Sequence, residues 1–385
     1  MVLDLFMKIG IDARIQRHGI GRYTRELVIA LSKLDSSNEY VIYINKNSIF
    51  TKLCLPDNFS LRKLRVSPYT VWEQFILPYY IYKDGIDVFH ATSYLIPIMC
   101  PCPMVVTIHD LCLKVNPNWY SFGGFKRFLA KIYYEFMNTF AINKAKQIIT
   151  VSNFAKKEIL EFYPNIPEKK INVIYNAVSH KFSPAPLEQV KAVKKKYGLN
   201  KYVLFVGTFN PIKNLLSVIN AFSKCKYLLD KGYKLVIVAR KDSRFSEPEA
   251  LVNKLNINNY VIFADYLEEE SLIPLYSGAD MLVVPSFHES FGLPVVEAFA
   301  CHVPVITSNT TGLVEIAREA AVMVSPDNIE EIKDAMLKVA MDRGLQRKLI
   351  SKGLFKIRNL SWELSARKTI EVYKLAISHL KNEPI

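Results

Sequence analysis

The sequence predicts two doubly wound α/β domains in tandem, each a parallel sheet with helices against it. Three observations carry this. Short apolar runs alternate with helical patterns along most of the chain. The alternation stops at a proline-containing link, His180-Lys-Phe-Ser-Pro-Ala-Pro186, and then restarts. At 385 residues, half of them hydrophobic, the chain is too long for one ordinary core. Strands that alternate with helices need crossover connections, and crossovers make parallel sheets.

The elements follow in order. Lys8 to Asp12 reads as a first strand, followed by Gly19-Ile-Gly-Arg-Tyr-Thr24 and a helix through Leu27, Ala30 and Leu31. Tyr40 to Asn45 is a second strand, Val71 to Lys83 a helix, and Asp87 to His90 and Met104 to His109 are buried strands. Phe125, Phe128, Leu129, Ile132, Tyr133 and Phe136 recur at helical spacing. Gln147 to Ser152 and Ile171 to Tyr175 complete the first set of strands. After the link, strands are expected at Tyr202 to Gly207, Lys234 to Ala239, Val261 to Ala264, Met281 to Val284, Val303 to Ser308 and Ala321 to Val324. Glu330 to Ala340 and Trp362 to Leu380 are helical, the latter with no strand after it. The expected division is 1–180, 181–360 and a terminal helix, 361–385. In open α/β sheets ligands bind beyond the carboxyl ends of the strands. The segments that follow the strands, including His90, are therefore expected to line one cleft between the domains.

Charge and cysteines narrow the class. Lysine and arginine exceed the acids to give a net charge of +14 and a pI near 9.3, which suits an anionic partner such as nucleotide phosphate, lipid headgroups or nucleic acid. Of six cysteines the only close pair is Cys100-Pro-Cys102. Without C-x-x-C spacing they read as reduced thiols of a cytosolic protein. The seven histidines show no metal-ligand spacing, so no structural metal is expected. No apolar run reaches the roughly 18 residues of a spanning helix, and the start does not read as a secretory signal.

The most informative stretch runs from Pro285 to Ala300. Glu289 and Glu297 lie on either side of Gly292 and Pro294, where a strand should pass through a loop into a helix. Such a junction directs unpaired N–H groups at whatever lies above it, so backbone can hold an anion while carboxylates hold hydroxyls. A glutamate near a helix start is also favoured by the dipole alone. Lys213, in Val206-Gly-Thr-Phe-Asn-Pro-Ile-Lys-Asn214, stands before a helix, where a cation is disfavoured unless an anion comes there. Arg240 ends the next strand. Gly19-Ile20-Gly21 would let backbone approach a ligand or form a plain turn, with Arg22 in reach of an anion; it is not the dinucleotide fingerprint. His109 can donate to a sugar hydroxyl or help stabilise developing charge, or be a core histidine, the reading preferred for His90. Phe122 to Tyr134 holds Lys126, Arg127 and Lys131 among aromatics, which suits a membrane surface. Its apolar stripe reads more simply as the core face of a helix.

These marks, with Lys8-Ile-Gly-Ile-Asp-Ala-Arg14, Val105-Val-Thr-Ile-His-Asp110, Val151-Ser-Asn-Phe154, Val173-Ile-Tyr-Asn176, His288 to Ala298 and Ser361-Trp-Glu363, resemble the family 4 glycosyltransferases of GT-B fold, in particular polysaccharide mannosyltransferases. The resemblance implies a retaining hexosyl transfer from a nucleotide-diphosphate sugar, GDP-mannose or a UDP-sugar, to a glycan or lipid-linked acceptor, without metal or other cofactor. It implies that Glu297 holds the ribose and Glu289 the donor sugar. Backbone at Phe291, Gly292 and Leu293 meets hydroxyls and phosphate, and Lys213 binds the diphosphate. Gly19 to Gly21 approach the diphosphate, His109 contacts the sugar, and the last helix returns to the first domain. Many relatives carry arginine where this chain has Thr208 or Ile212, so Lys213, with Arg240 or Arg22, is left to hold the diphosphate. A catalytically idle relative that binds nucleotide or nucleic acid is the alternative; salt-sensitive nucleic-acid binding without nucleotide-sugar binding would mark it. The implied location is cytoplasmic, at the inner face of the membrane.

Overall fold

The computed structural model describes residues 6–16, 18–116, 124–240, 242 and 244–378. In chain order the elements are β1 (Lys8–Asp12), α1 (His18–Leu34), β2 (Glu39–Asn45), β3 (Phe59–Leu64), α2 (Glu73–Lys83), β4 (Val88–Ala91), β5 (Met104–Ile108), α3 (Cys112–Val115), α4 (Gly124–Lys144), β6 (Gln147–Thr150), α5 (Asn153–Phe162) and β7 (Ile171–Val173). There follow α6 (Leu187–Tyr197), β8 (Tyr202–Thr208), α7 (Leu215–Lys224), α8 (Lys226–Asp230), β9 (Lys234–Arg240), α9 (Glu247–Lys254), β10 (Val261–Ala264), α10 (Glu269–Ser277), β11 (Met281–Val284), α11 (Leu293–Ala300), β12 (Val305–Ser308), α12 (Thr311–Ala317), β13 (Val322–Val324), α13 (Ile329–Met341), α14 (Arg343–Ile357) and α15 (Trp362–Ser378).

The chain forms two compact units. One holds the elements up to β7 together with α15; the other comprises Ala177–Ser361. The first sheet has seven strands in the order β3-β2-β1-β4-β5-β6-β7, and the second has six in the order β10-β9-β8-β11-β12-β13. All pairings are parallel. The order reverses direction between β1 and β4 in one sheet and between β8 and β11 in the other. Those two gaps are the topological switch points at which such sheets take ligands. Central strands covered on both faces are apolar throughout, as in β5, where all five residues are buried.

β3 escapes the sequence reading because it is an edge strand. Its pattern Phe-Ser-Leu-Arg-Lys-Leu buries only the two ends, and an exposed edge carries polar residues without penalty. α15 completes the first unit. Its Tyr373 Oη lies 2.8 Å from His90 Nδ1, and Ser365 Oγ donates to the Tyr175 carbonyl at 2.7 Å. Leu380, the expected end of that helix, lies outside the described residues.

The helical stripe in α4 faces the other way from the expected one. Leu129, Ile132, Tyr133 and Phe136 are exposed, while Tyr134, Met137, Ala141 and Ile142 pack inward. α4 is apolar on more than one face, so periodicity alone could not choose which face meets the sheet. The side chains of Phe125, Lys126, Arg127 and Phe128 lie outside those described. Among the described residues no helix is long and apolar enough to cross a membrane.

Candidate functional site

The C-terminal switch point is built by two loops, one after β8 and one after β11. The first folds as a tight 3-10 turn, Pro211–Lys213, because Asn210 caps it by accepting from the Ile212 N–H and Asn214 ends it at φ 57°. Asn tolerates this left-handed conformation better than most residues. The buried Asn214 amide then donates to the carbonyls of Pro285 at 3.0 Å and Pro326 at 2.7 Å. The Phe287 N–H donates to the Ile212 carbonyl at 2.9 Å. The two loops are thereby stitched together, and Lys213 Nζ meets Glu289 Oε1 at 2.5 Å. Both side chains keep partial access to solvent. Ser286 Oγ stands 3.4 Å from the same carboxylate oxygen.

Glu289 is also fixed through its backbone. Its N–H reaches Thr311 Oγ1 at 3.3 Å and its carbonyl accepts from the Gly312 N–H at 2.9 Å. A Cβ on Gly312 would lie 2.2 Å from the Ser290 carbonyl oxygen, so only glycine lets α12 seat on this loop. The chain then turns at Gly292, with φ 93°, and enters α11 at Leu293, with Pro294 inside the first turn. Proline costs nothing there because the first N–H groups have no partner within the helix. Phe291 is buried and supports the turn. One turn into α11, Glu297 is buried and its Oε2 accepts from Tyr276 Oη at 3.0 Å.

Thr208 and Arg240 are register partners at the carboxyl ends of β8 and β9. Arg240 is exposed and Thr208 Oγ1 is 3.4 Å from the Asn210 N–H. Ile212 is buried and belongs to the support of the loop. One unit thus gathers Lys213, Glu289, Thr208, Gly292 and Glu297 around β8, β11 and α11, with Arg240 one strand further out.

In the N-terminal unit two sequence expectations change, and the core reading preferred for His90 holds. Gly19, Ile20 and Gly21 lie within the first turn of α1, not in a loop before it. A Cβ on Gly21 would lie 2.3 Å from the Gln16 backbone, whereas one on Gly19 would meet nothing within 4 Å. Gly21 therefore lets the chain approach itself, and only Gly19 leaves open space. Arg22 follows on α1, half-buried. His90 is a core residue, fully buried inside β4 between Tyr373 Oη and Thr107 Oγ1, each at 2.8 Å. Burial depresses its pKa to about 3, so it stays neutral.

His109, just past β5, makes the second change. Its Nε2 lies 3.0 Å from the Thr92 carbonyl oxygen, which can only accept, so Nε2 carries the proton. Burial lowers the pKa of the ring. The neutral ring then leaves Nδ1 able to accept a hydrogen bond and not to donate one. Thr92 Oγ1 donates to the Asp12 carbonyl at 2.7 Å. This ties His109 to the switch point between β1 and β4.

Comparison with known proteins decides the family. Residues 17–182 match the model for Glycosyltransferase Family 4 and residues 188–354 match that for Glycosyl transferases group 1. The chain is a family 4 glycosyltransferase. This glycosyltransferase is 29% identical over 296 residues to O-antigen chain mannosyltransferase B of Escherichia coli, a match over 76% of this chain and 75% of that one. It is 31% identical over 256 residues to the O-antigen chain mannosyltransferase RfbU of Salmonella typhimurium, covering 64% and 65%. It also matches the serotype-specific mannosyltransferase WbdA of Escherichia coli at 28%, but spans only 37% of that protein's length. Among solved structures, sucrose-phosphate synthase from Thermosynechococcus elongatus superposes with a TM-score of 0.77 at 20% identity, covering 97% and 100% of the chains. HepE of Anabaena, solved with UDP-glucose, gives 0.76 at 14%, covering 96% and 99%. At those identities the likeness is one of fold, and the fold is GT-B.

Sequence reading missed the parts that hold the glycosyltransferase's site in shape. Thr311 and Gly312 had a signal, a Thr-Gly pair shortly after a buried strand, and Asn214 had one in its place before a helix. Tyr276 had none, since nothing in a sequence pairs it with Glu297. Gly19 and Gly21 can be separated by experiment. Gly19→Ala is expected to preserve or slightly raise the melting temperature, since alanine stabilises an exposed helix by up to about 1 kcal/mol. Transfer should nonetheless fall if a ligand needs that open space. Gly21→Ala is expected to lower both melting temperature and activity.

Proposed function

We propose that the chain is a retaining mannosyltransferase that moves mannose from GDP-mannose to a lipid-linked glycan during surface polysaccharide synthesis, at the inner face of the cytoplasmic membrane. The observation that carries this is the Lys213–Glu289 pair at the C-terminal switch point, with the first turn of α11 beside it. The printed names of the mannosyltransferase relatives support the sugar.

In this reading Lys213 exchanges its carboxylate partner for the donor diphosphate, and Arg240 adds a second cation. Glu289, released, takes two hydroxyls of the sugar. The N–H groups that begin α11 receive phosphate oxygen, and Glu297 accepts from the ribose hydroxyls while Tyr276 fixes its other oxygen. His109 accepts from a sugar hydroxyl through Nδ1. The bond from the anomeric carbon to the diphosphate breaks, and the acceptor oxygen bonds to that carbon on the same face. The acceptor proton passes to the departing diphosphate oxygen. Lys213 and the helix terminus stabilise the charge that grows on the leaving group, so transfer should persist in the presence of a chelator.

A thermal-shift series with GDP-mannose, UDP-glucose and ADP-glucose tests the donor. GDP-mannose is expected to raise the melting temperature by a few degrees at saturating concentration, as ligand linkage requires, and the others to leave it unchanged. A shift with UDP-glucose alone would overturn the donor, and a shift with none would overturn the site.

A further inference from the structure

α2 and α4 have inverted surfaces. Both pack inward on one core, where Leu77 and Ile81 join Met137, Ala141 and Ile142. Outward, α2 and its leading turn present Trp72, Phe75, Tyr79 and Tyr82, of which Trp72 is 71% and Tyr82 77% exposed. These four recur at three- and four-residue spacing and form one stripe. α4 adds Leu129, Ile132 and Phe136, each about half exposed. Beside α4 the Tyr94 and Tyr134 rings meet edge-on at 5.0 Å. Clustered apolar side chains left exposed in this way mark an interaction site.

Charge states what covers it. Each acid of the described part of these helices, and the one just past α2, is taken by a cation. Glu73 is buried against Arg14, Glu135 pairs with Lys114, and Asp84 pairs with Arg62. The exposed ionic groups are Lys83, Lys131 and Lys144, and Lys83 Nζ lies over the Tyr79 ring. An apolar face rich in Trp and Tyr whose exposed ionic groups, among the described residues, are lysines matches a bilayer surface with anionic headgroups. A second copy of a chain with charge +14 would be repelled.

We propose that the outer faces of α2 and α4 form a docking surface for an anionic lipid bilayer, set by Trp72, Phe75, Tyr79 and Tyr82 in the interface and by Lys83 and Lys131 at the headgroups. The surface deepens the reading of a lipid-linked acceptor and rests on it for its purpose, since it holds the enzyme where such an acceptor lies.

The test is co-sedimentation of the full chain with phosphatidylcholine vesicles, with and without phosphatidylglycerol. The wild type is expected to partition onto the anionic vesicles, with a blue shift of Trp72 emission. Phe75→Ser with Tyr79→Ser should lower the partition coefficient about ten-fold or more, as lost interfacial burial requires. Lys83→Glu with Lys131→Glu should remove the preference for anionic lipid. The replaced side chains are exposed, so unchanged circular dichroism and melting temperature are expected to exclude misfolding. Equal partitioning of wild type and variants, or no wild-type binding to anionic vesicles, overturns the proposal. So does a dimeric wild type that the same substitutions make monomeric, which would assign the face to a second copy. Transfer to a water-soluble glycan acceptor reads the reaction separately. If the wild type lacks transfer yet binds vesicles, the reaction assigned above fails and the docking surface stands.

Discussion

Glu289→Gln is expected to reduce sugar transfer about 100-fold or more while leaving the protein folded. The estimate follows from removing the charge behind two hydrogen bonds to substrate hydroxyls, each worth about 1.5–3 kcal/mol when one partner is ionised. The replacement is a clean probe because the backbone of residue 289 is pinned at both ends, by Thr311 Oγ1 and by the Gly312 N–H. The loop keeps its shape, and only the side chain changes. Lys213→Met is expected to cost a similar factor by removing the cation from the diphosphate. The informative measurement is the double variant. If both groups act on one donor, the double variant should lose about as much as the worse single one, since members of one catalytic unit are not additive. Fully multiplying losses would show two independent roles. Stability should change little in Glu289→Gln, which keeps a hydrogen-bonding group beside Lys213, and fall more in Lys213→Met, which leaves the largely buried Glu289 without this cation. Single-turnover transfer and melting curves on the same samples separate the two effects.

Gly312→Ala is expected to damage the same site from a distance. The added methyl would sit 2.2 Å from the Ser290 carbonyl oxygen and 2.8 Å from that of Glu289. Both are backbone atoms, so no side-chain rotation relieves the contact, and the loop must move. Overpacking of this kind costs about 1–3 kcal/mol. The displaced segment carries Glu289, so the loss in transfer should exceed what partial unfolding explains. Gly292→Ala makes the useful contrast. Its methyl would meet the Leu313 Cδ2 atom at 2.5 Å, and a side-chain end can yield. What remains is the strain of φ 93°, about 1–2 kcal/mol for a residue with a Cβ. Gly292→Ala should therefore lower melting temperature less than Gly312→Ala. Equal effects from the two would show that steric contact with the loop is not what makes Gly312 necessary.

Much of this protein is legible in its sequence because parallel sheets advertise themselves. Met281 to Val284 or Met104 to Ile108, buried on both faces, can be little else than central strands. Glu289, Gly292 and Glu297 are legible for a related reason: two acids beside a glycine and a proline at a strand–helix junction are poor choices for a core. What stayed hidden depends on contacts distant in sequence. Lys213 and Glu289 are 76 residues apart, and no local pattern says that each is the other's partner. The tautomer of His109 depends on a carbonyl 17 residues upstream. Gly21 looks like a ligand-facing glycine until the Gln16 backbone is seen against it. The α4 stripe shows the opposite failure, since its periodicity was real and its direction was not encoded locally.

The place of α15 in the first unit bears on the order in which the protein is made. His90 and Tyr373 are 283 residues apart, and the buried Tyr373 closes the core beneath β4. A ribosome releases β1 to β7 first, yet that sheet lacks α15 until the whole second unit has emerged. Ala177–Ser361 is by then already available and can fold as an intact insert. The N-terminal half is thus begun first and finished last, and during synthesis the core around His90 must wait open. A chain truncated before Trp362 should accordingly retain a folded second unit and expose an unfinished first one. Any exchange of the second unit between relatives would have to be made as an insertion with two junctions, because a swap of everything after β7 would remove α15 as well.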